Sequence, residues 1–224
     1  MPAYLRPTNS IHADALLTGD PGRALALAQE LLDEPKMCNH ARGLWGYSGR
    51  SAAGRELTIQ STGIGGPSTA AVVGELVEEG VRRAVRVGTC TAVVDDLGLG
   101  DLVLAREAVG CDGVSRQLGA EGPVAPDAAL GEALSAAGGK AGARAVRVAS
   151  IDLHAQEEKP AWLGHDPAAL DLATAPLLAL AARLGLAAAA ILVVAETRAE
   201  RIEDEPLADA SLRAARAALA ALSS

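Results

Sequence analysis

Residues 56–88 read ELTIQSTGIGGPSTAAVVGELVEEGVRRAVRVG, and this stretch decides the expected fold. A strand-like apolar run at 56–61 leads into a loop with three glycines, and a helix-like stretch follows at 67–79. Gly80 stands where a helix-ending glycine is expected, and a second strand-like run follows at 84–88. The order strand, helix, strand is typical of a sheet whose strands run in parallel and whose faces are covered by helices.

The same alternation continues on both sides of this stretch. Further strand-like runs lie at 13–17, 101–109, 143–149 and 188–195, and further helix-like runs lie at 21–33, 126–137, 175–184 and 206–222. Asp20-Pro21 has the residue types of a helix start, and Gly185 those of a helix end. We find no internal repeat and no linker. The sequence therefore predicts one α/β domain over residues 1–224, with a mixed, mostly parallel central sheet flanked by helices on both faces.

Composition narrows the class of protein. Half of the 224 residues are hydrophobic, which is enough for a packed core, whereas only 2% are aromatic and the formal net charge is −8. Few stacking side chains and an acidic balance argue against nucleic acid as a partner. Three widely spaced cysteines offer neither a disulfide framework nor a zinc site, so no metal is expected.

The sequence carries no evident targeting segment. Its N-terminus lacks a signal-peptide pattern, and its longest apolar stretch, at 184–195, is too short to span a membrane. We therefore expect a cytoplasmic protein without a membrane partner.

Polar and glycine-rich clusters follow five of the predicted strands. In an open α/β sheet the carboxyl ends of the strands hold the ligand, so clusters at one edge predict a site there. GDPGR at 19–23 opens a helix whose free N–H groups favour an anion. Arg23 in the first turn is either a solvated side chain or the partner of a bound anion, and this motif alone leaves both open.

Two further stretches carry possible anion ligands. STGIGGPST at 61–69 lacks the P-loop lysine and the GxGxxG fingerprint, so by itself it indicates a tight turn before a helix. Arg86 lies within the apolar run AVRVG, just before Thr89, and a buried arginine there needs a carboxylate or a bound anion. Arg42 in NHARGLWGYSG is a candidate of the same kind, although a surface arginine is the simpler explanation.

Three acid–base side chains are candidates for chemistry. Asp152 and His154 face the same side of an extended segment, but no serine or cysteine stands in the context of a nucleophile, so no triad is predicted. Glu196 ends the most apolar strand of the chain. A carboxylate there is either a cap for the next segment of the chain or an acid that acts on a ligand, and we favour the second interpretation.

Four motifs together resemble the nucleoside phosphorylase family that includes hexameric bacterial purine nucleoside phosphorylase and uridine phosphorylase: GDPGR (19–23), NHARGLWGYSG (39–49), STGIGGPST (61–69) and RVGTC (86–90). The resemblance covers most of the chain. It implies that inorganic phosphate, as co-substrate, cleaves the glycosidic bond of a nucleoside to give a free base and (deoxy)ribose 1-phosphate. It also implies no other cofactor, and a homo-oligomer, either a dimer or a hexamer built as a trimer of dimers, with sites shared between subunits.

The resemblance implies roles for individual residues as well. Phosphate is expected to contact Gly19, Arg23, Arg86, Thr89 and, from a neighbouring subunit, Arg42. The nucleoside is expected to contact Tyr4, Gly88, His154, Asp171 and Leu172. Glu196 stands in the position of the acid that acts on N7 of a purine, and Arg198 is the alternative catalytic residue.

Three positions depart from the family pattern. Ala173 replaces the second carboxylate of a sugar-binding Glu-Met-Glu, His154 replaces a base-stacking aromatic residue, and Tyr4 stands near the place of an N-terminal histidine. The phosphate half of the site is thus retained, and the nucleoside half is altered.

The sequence therefore predicts a pentosyltransferase, with a purine favoured over uridine because an acid at position 196 suits N7. Two alternatives stay open. A hydrolytic nucleosidase of the same fold would use water in place of phosphate, although three retained arginines argue against it. A diverged, non-catalytic protein that binds phosphate or a nucleoside would account for Ala173 and the altered base pocket.

Overall fold

The computed structural model describes residues 3–153 and 161–224. Its strands are β1 (Asp14–Thr18), β2 (Asp33–Asn39), β3 (Gly46–Arg50), β4 (Glu56–Ser61), β5 (Arg83–Ala92), β6 (Leu102–Cys111), β7 (Arg144–Ile151), β8 (Ala169–Asp171) and β9 (Ala187–Glu196). Its helices are α1 (Pro21–Leu31), α2 (Gly65–Glu78), α3 (Gly113–Gln117), α4 (Ala128–Lys140), α5 (Thr174–Leu184) and α6 (Asp204–Ser223). All of the strands and helices predicted from the sequence are present, with ends that differ by a few residues.

The nine strands of the described residues form one sheet in the order β2-β3-β4-β1-β5-β8-β7-β6-β9, and β9 also pairs with β5. This additional pairing closes half of the sheet into a ring, β5-β9-β6-β7-β8. Five of the nine pairings are parallel, so the predicted mixed, mostly parallel sheet is confirmed. The closure into a ring was not predicted.

Three strands and one helix escape the sequence analysis because their residues carry no apolar run. Strand β2 reads DEPKMCN, is largely exposed and contains register shifts against β3. Strand β3 reads GYSGR, and β8 has only three residues. Helix α3 has five residues.

Helices pack on both faces of the sheet, as predicted. Because neighbouring residues of a strand point to opposite faces, Leu16 and Leu17 of β1 lie in different hydrophobic clusters. The cluster of Leu16 includes buried residues of α1, α4 and α6. The cluster of Leu17 includes buried residues of α2 and α5. None of the helices in the described part of the chain is long and apolar enough to cross a membrane.

The ends of two helices follow the sequence signals. The Asp20 carboxylate accepts a hydrogen bond from the backbone N–H of Arg23 at 2.6 Å, and Pro21 occupies the first helical position of α1. Gly185 ends α5 in the left-handed conformation, with φ 67°. The start of α1 therefore lies directly after β1, at the carboxyl edge of the parallel strands.

Candidate active site

A cavity of about 400 Å³ lies at the carboxyl ends of β1, β5 and β9. The loop after β1, the glycine loop after β4 and the end of β8 form its remaining walls. Eight of the residues predicted from the sequence line it: Gly19, Arg23, Arg86, Gly88, Thr89, Asp171, Leu172 and Glu196. Four of the five predicted clusters, those after β1, β4, β5 and β9, therefore meet in one site, whereas none of residues 150–153 after β7 lines it.

Two arginines form the anion end of this cavity. Burial lowers the pKa of the Arg23 guanidinium, and the nearby charge of Arg86 lowers it further, while Asp20 acts in the opposite direction. Arginine nevertheless stays charged at neutral pH. Two guanidinium groups that disfavour each other in this way are stabilised by an anion between them.

Arg86 is fixed by a buried carboxylate. Its Nη2 lies 3.2 Å from Oδ2 of Asp171, and the two residues are 6% and 2% exposed. Asp171 also accepts hydrogen bonds from Ser150 Oγ at 2.5 Å and from Thr174 Oγ1 at 2.6 Å. The Asp171 carboxylate thus holds Arg86 and the start of α5.

Arg86 keeps a buried donor that no described residue uses. Its buried Nε has no hydrogen-bond partner among the described residues. A buried guanidinium N–H without a partner costs free energy, so a ligand oxygen at this point would stabilise the site. We call Arg23, Arg86 and their cavity wall the anion end.

Glycine is required at two positions beside the anion end. A Cβ atom at Gly88 would lie 2.8 Å from Arg86 Cζ and 2.8 Å from Leu192 Cδ2, so a larger residue would displace the guanidinium. Gly63 has φ 72°, and a Cβ atom there would lie 2.4 Å from Ser68 Oγ. The glycine loop at 61–69 therefore packs tightly into the cavity wall as the start of α2.

Glu196 and Arg201 line the cavity farther along β5 and β9, where Glu196 pairs with Thr91, five residues beyond Arg86, and we call this part the base end. Arg201 Nη2 lies 3.6 Å from Glu196 Oε2, and Thr91 Oγ1 donates to the same oxygen at 3.5 Å. The Glu196 side chain is 37% exposed and that of Arg201 78% exposed. The sequence analysis did not identify Arg201.

Arg198, the alternative catalytic residue predicted from the sequence, does not line the cavity. Its Nη2 donates to the backbone oxygen of Val93 at 3.2 Å. The turn after β9 decides between the two arginines. The only sequence signal for Arg201 was its proximity to Glu196, and Arg198 shared that signal.

Tyr4 and Arg42 lie outside the cavity and against each other, with the Arg42 guanidinium 5.4 Å from the centre of the Tyr4 ring. The Glu75 carboxylate accepts hydrogen bonds from the backbone N–H groups of Tyr4 and Leu5 at 2.9 and 2.6 Å and so holds this segment in place. Within one chain, Tyr4 and Arg42 do not join the other predicted residues. His154 lies outside the described residues.

Two further observations limit the reactions that the cavity can support. Burial raises the pKa of the Cys90 thiol, the charge of Asp171 raises it further, and Arg86 opposes the shift. This thiol in the cavity wall is therefore protonated and a poor nucleophile at neutral pH. Within residues 3–153 and 161–224, no group of three or more His, Cys, Asp or Glu side chains is arranged to hold a metal ion.

Comparison with known proteins assigns the chain to a family. A model of the phosphorylase superfamily matches residues 14–224, and the chain belongs to this superfamily. The purine nucleoside phosphorylase (DeoD-type) of Clostridium novyi (strain NT) is 32% identical over 199 residues, which cover 84% of either chain. The corresponding protein of Oceanobacillus iheyensis is 43% identical over 94 residues, which cover 42% of this chain and 40% of that protein.

Solved structures agree with this assignment. Uridine phosphorylase from Vibrio fischeri ES114 superposes with a TM-score of 0.87 at 26% identity, over 95% of this chain and 92% of that chain. Purine nucleoside phosphorylase from Toxoplasma gondii, in complex with immucillin-H, has a TM-score of 0.86 at 21% identity over the same shares, and shares the fold. The family resemblance and the fold class predicted from the sequence are confirmed.

Proposed function

We propose that this chain is a pentosyltransferase that cleaves a nucleoside with inorganic phosphate, giving a free base and (deoxy)ribose 1-phosphate. One observation carries the proposal. A single cavity in a member of the phosphorylase superfamily has two arginines, Arg23 and Arg86, at one end and a carboxylate, Glu196, at the other. Phosphorolysis needs a cationic end for phosphate and an acid for the leaving base.

The anion end would bind and aim the phosphate. Arg23 and Arg86 donate charge-assisted hydrogen bonds to its oxygens, and Gly19 and Thr89 lie beside it in the cavity wall. Holding phosphate against C1′ converts a bimolecular encounter into a reaction within one complex. The guanidinium groups also stabilise the positive charge that develops on the sugar indirectly, because they keep the anion next to it.

The bonds, electrons and protons of the proposed reaction balance without a further co-reactant. A phosphate oxygen forms a bond to C1′ while the bond from C1′ to the base nitrogen breaks. The bonding electron pair leaves with the base, and the base takes up one proton, which in the overall reaction is the proton that hydrogen phosphate gives up when it becomes the sugar 1-phosphate. Glu196 is the group in the cavity wall suited to deliver that proton or to stabilise its arrival at N7, so we propose a purine as the preferred base.

Tyr4 and Arg42 are proposed to act on a second copy of the chain. Their packing outside the cavity, with the side chain of Tyr4 partly exposed, suits a contribution to a neighbouring subunit better than one to their own. This proposal requires a homo-oligomer. Arg42 would add a third cation to the neighbour's phosphate, and Tyr4 would cover its sugar.

A hydrolytic nucleosidase and a non-catalytic binding protein are the competing functions. Water needs no cationic end, so the buried Arg86 with its unpartnered Nε favours phosphate over water. The intact acid at the base end favours catalysis over binding alone.

The decisive experiment measures base release from inosine, adenosine, guanosine, uridine and thymidine, each with and without inorganic phosphate. We expect release only with phosphate, and faster from purine nucleosides. Equal release without phosphate would establish hydrolysis instead. A folded protein that is stabilised by phosphate against heat but releases no base would establish a binding function.

A further inference from the structure

We propose that Glu75, a buried carboxylate of α2 that does not line the cavity, is a positioning residue for the active site of a neighbouring subunit. It fixes Tyr4, and through Tyr4 it fixes Arg42. The inference rests on the proposed function for the action of Tyr4 and Arg42 on a second copy of the chain. It goes beyond that proposal by naming the residue that holds both of them in place.

The Glu75 carboxylate is held by the backbone of residues 3–5. Oε1 accepts hydrogen bonds from the N–H groups of Ala3 and Tyr4, the latter at 2.9 Å, and Oε2 accepts from Tyr4 at 3.1 Å and Leu5 at 2.6 Å. Successive N–H groups that converge on one anion form a concave site for it. Because Glu75 is only 8% exposed and belongs to a helix, its position determines that of the residues that donate to it.

The segment after Tyr4 is tied to the turn that carries Arg42. Leu5 is fully buried in the hydrophobic cluster that includes α2. The Arg6 N–H donates to Asn39 Oδ1 at 2.8 Å, and Asn39 Nδ2 donates to the backbone oxygen of Leu44. Asn39 and Leu44 stand on either side of the turn at residues 41–43. Glu75 and Asn39 together therefore fix the N-terminal segment against this turn.

Arg42 is held in an unusual conformation and faces a cleft rich in cations. Its φ of 58° and ψ of 17° lie in the left-handed region, which a residue other than glycine keeps only where its surroundings impose it. The Tyr4 ring supports its guanidinium from 5.4 Å. Arg6 and His40 line the same cleft of about 300 Å³, and its lining within the described residues includes no carboxylate. The cleft therefore suits an anion that a second copy brings.

One helix separates Glu75 from the cavity of its own chain. Helix α2 begins at Gly65 in the cavity wall, and Glu75 lies ten residues further on, about 15 Å along the helix axis. The carboxylate is thus remote from the anion end of its own subunit. A change at Glu75 should act on the site that Tyr4 and Arg42 serve, and the effect should appear in the binding of phosphate there.

The first test compares the KM for phosphate in the native protein and in Glu75→Gln. Glutamine keeps the length of the side chain, but it has one acceptor oxygen in place of two and turns an NH₂ group toward the backbone donors. We expect Glu75→Gln to raise the KM for phosphate by about tenfold, because Arg42 loses its fixed position. The kcat at saturating phosphate should stay almost unchanged, since the acid and the two arginines of each cavity are intact.

Glu78→Gln provides the matched control. Glu78 is an exposed glutamate of the same helix, so its substitution removes the same charge without touching the N-terminal segment. We expect its KM for phosphate to equal that of the native protein. A KM that rises equally in both variants, or in neither, would overturn the inference. Should Glu75→Gln fail to fold, Glu75→Asp replaces it, since it keeps the charge but is one methylene shorter, and it should raise the KM for phosphate in the same way.

Mixed oligomers show which subunit is affected. Glu75→Gln and Glu196→Gln copies with different affinity tags are co-expressed, and oligomers that carry both tags are purified. The Glu75→Gln copy keeps its own acid, and its Glu196→Gln neighbour supplies a correctly held Tyr4 and Arg42. One site of each mixed pair is then complete, so base release at low phosphate should reach about a quarter to a half of the native rate.

A merely structural role of Glu75 would not give this recovery, because a neighbour does not repair a destabilised subunit. Release no faster than the mean of the two separate variants would confine the effect of Glu75 to its own subunit and overturn the inference. A protein that is monomeric in solution would overturn it as well.

Two measurements without turnover separate this inference from the proposed function. Hydrogen exchange of the N-terminal peptide should be slow in the native protein and fast in Glu75→Gln, and fast exchange in both would mean that the carboxylate does not hold the segment. Calorimetric titration with inorganic phosphate should show weaker binding to Glu75→Gln than to Glu78→Gln. If no nucleoside is cleaved but this weakening appears, the proposed reaction fails and the positioning role stands. Equal phosphate affinity in the two variants would overturn the positioning role even if nucleosides are cleaved.

Discussion

The two ends of the cavity are built in opposite ways. At the anion end, Arg86 and Asp171 are buried, and Ser150 and Thr174 hold the carboxylate with hydrogen bonds of 2.5 and 2.6 Å. At the base end, the contacts of Glu196 are 3.5 Å or longer, and its arginine partner is mostly exposed. One end belongs to the core of the protein, and the other is a surface turn.

Because of this difference, the two ends of the cavity contribute differently to the stability of the fold and to ligand recognition. Buried ion pairs depend on both partners, since removing one leaves an uncompensated charge, whereas exposed pairs contribute little to stability. Changes to the buried Arg86–Asp171 pair of the anion end should therefore reduce stability and activity together. Changes at the base end should alter activity or base preference and leave stability almost unchanged. Such a cavity can vary its base end while its anion end stays fixed.

Arg86→Ala should have the largest effect. It leaves the buried Asp171 without its cation, so we expect the free energy of unfolding to fall by about 3–5 kcal/mol. We also expect phosphate-dependent base release to be lost. Urea unfolding and phosphorolysis at several phosphate concentrations measure the two effects.

Arg23→Ala is the control for this prediction. Arg23 lines the same end of the cavity, but its neighbouring carboxylate, Asp20, is exposed and already accepts a backbone hydrogen bond. We expect weaker phosphate binding with a change in unfolding free energy below about 1 kcal/mol. If Arg86→Ala unfolds at the same urea concentration as the native protein, the anion end is not coupled to folding.

The fold was largely predictable because its signals are local. Apolar runs, helix caps and glycines identified the strands and helices that bring the cavity residues to one edge. The ring in the sheet was not predictable, because β5 continues past its pairing with β1 to pair with β8 at Thr91 and Ala92. Sequence patterns mark that a strand exists but not how many neighbours it has.

The sequence identified most residues of the candidate site, but it did not identify the contacts between them. The apolar run around Arg86 required a partner for its charge, but that partner, Asp171, lies 85 residues away in the sequence. The sequence prediction named Arg198 as the alternative catalytic residue and did not consider Arg201. Only the hydrogen bonds of the turn after β9 direct one toward the cavity and the other toward Val93.

Glu196→Gln should have the second-largest effect, and this effect is on activity. Glutamine keeps the shape and can donate a hydrogen bond, but it cannot deliver a proton. We expect kcat on inosine to fall by about 10²–10⁴-fold. Because Glu196 is partly exposed and weakly paired, the unfolding free energy should change by less than about 0.5 kcal/mol. An unchanged kcat on every purine nucleoside would remove Glu196 from the reaction, and a large loss of stability would contradict the contrast between the two ends.

The smallest effects come from removing one hydroxyl at either end, and they test the contrast most directly. Thr174→Val deletes the buried 2.6 Å hydrogen bond to Asp171, whereas Thr91→Val deletes the 3.5 Å contact with Glu196. Valine has nearly the shape of threonine, so the two variants differ mainly in the hydrogen bond lost. A bond to a buried charge contributes about 1.5–3 kcal/mol, and so Thr174→Val should lower the unfolding free energy by about that amount.

Thr91→Val should lower the unfolding free energy by less than about 0.5 kcal/mol, because a contact of 3.5 Å to a partly exposed carboxylate is close to the limit of a hydrogen bond. Urea unfolding of both variants under one set of conditions gives the comparison. Equal losses in the two variants would mean that the carboxylate at the base end is held as firmly as the one at the anion end.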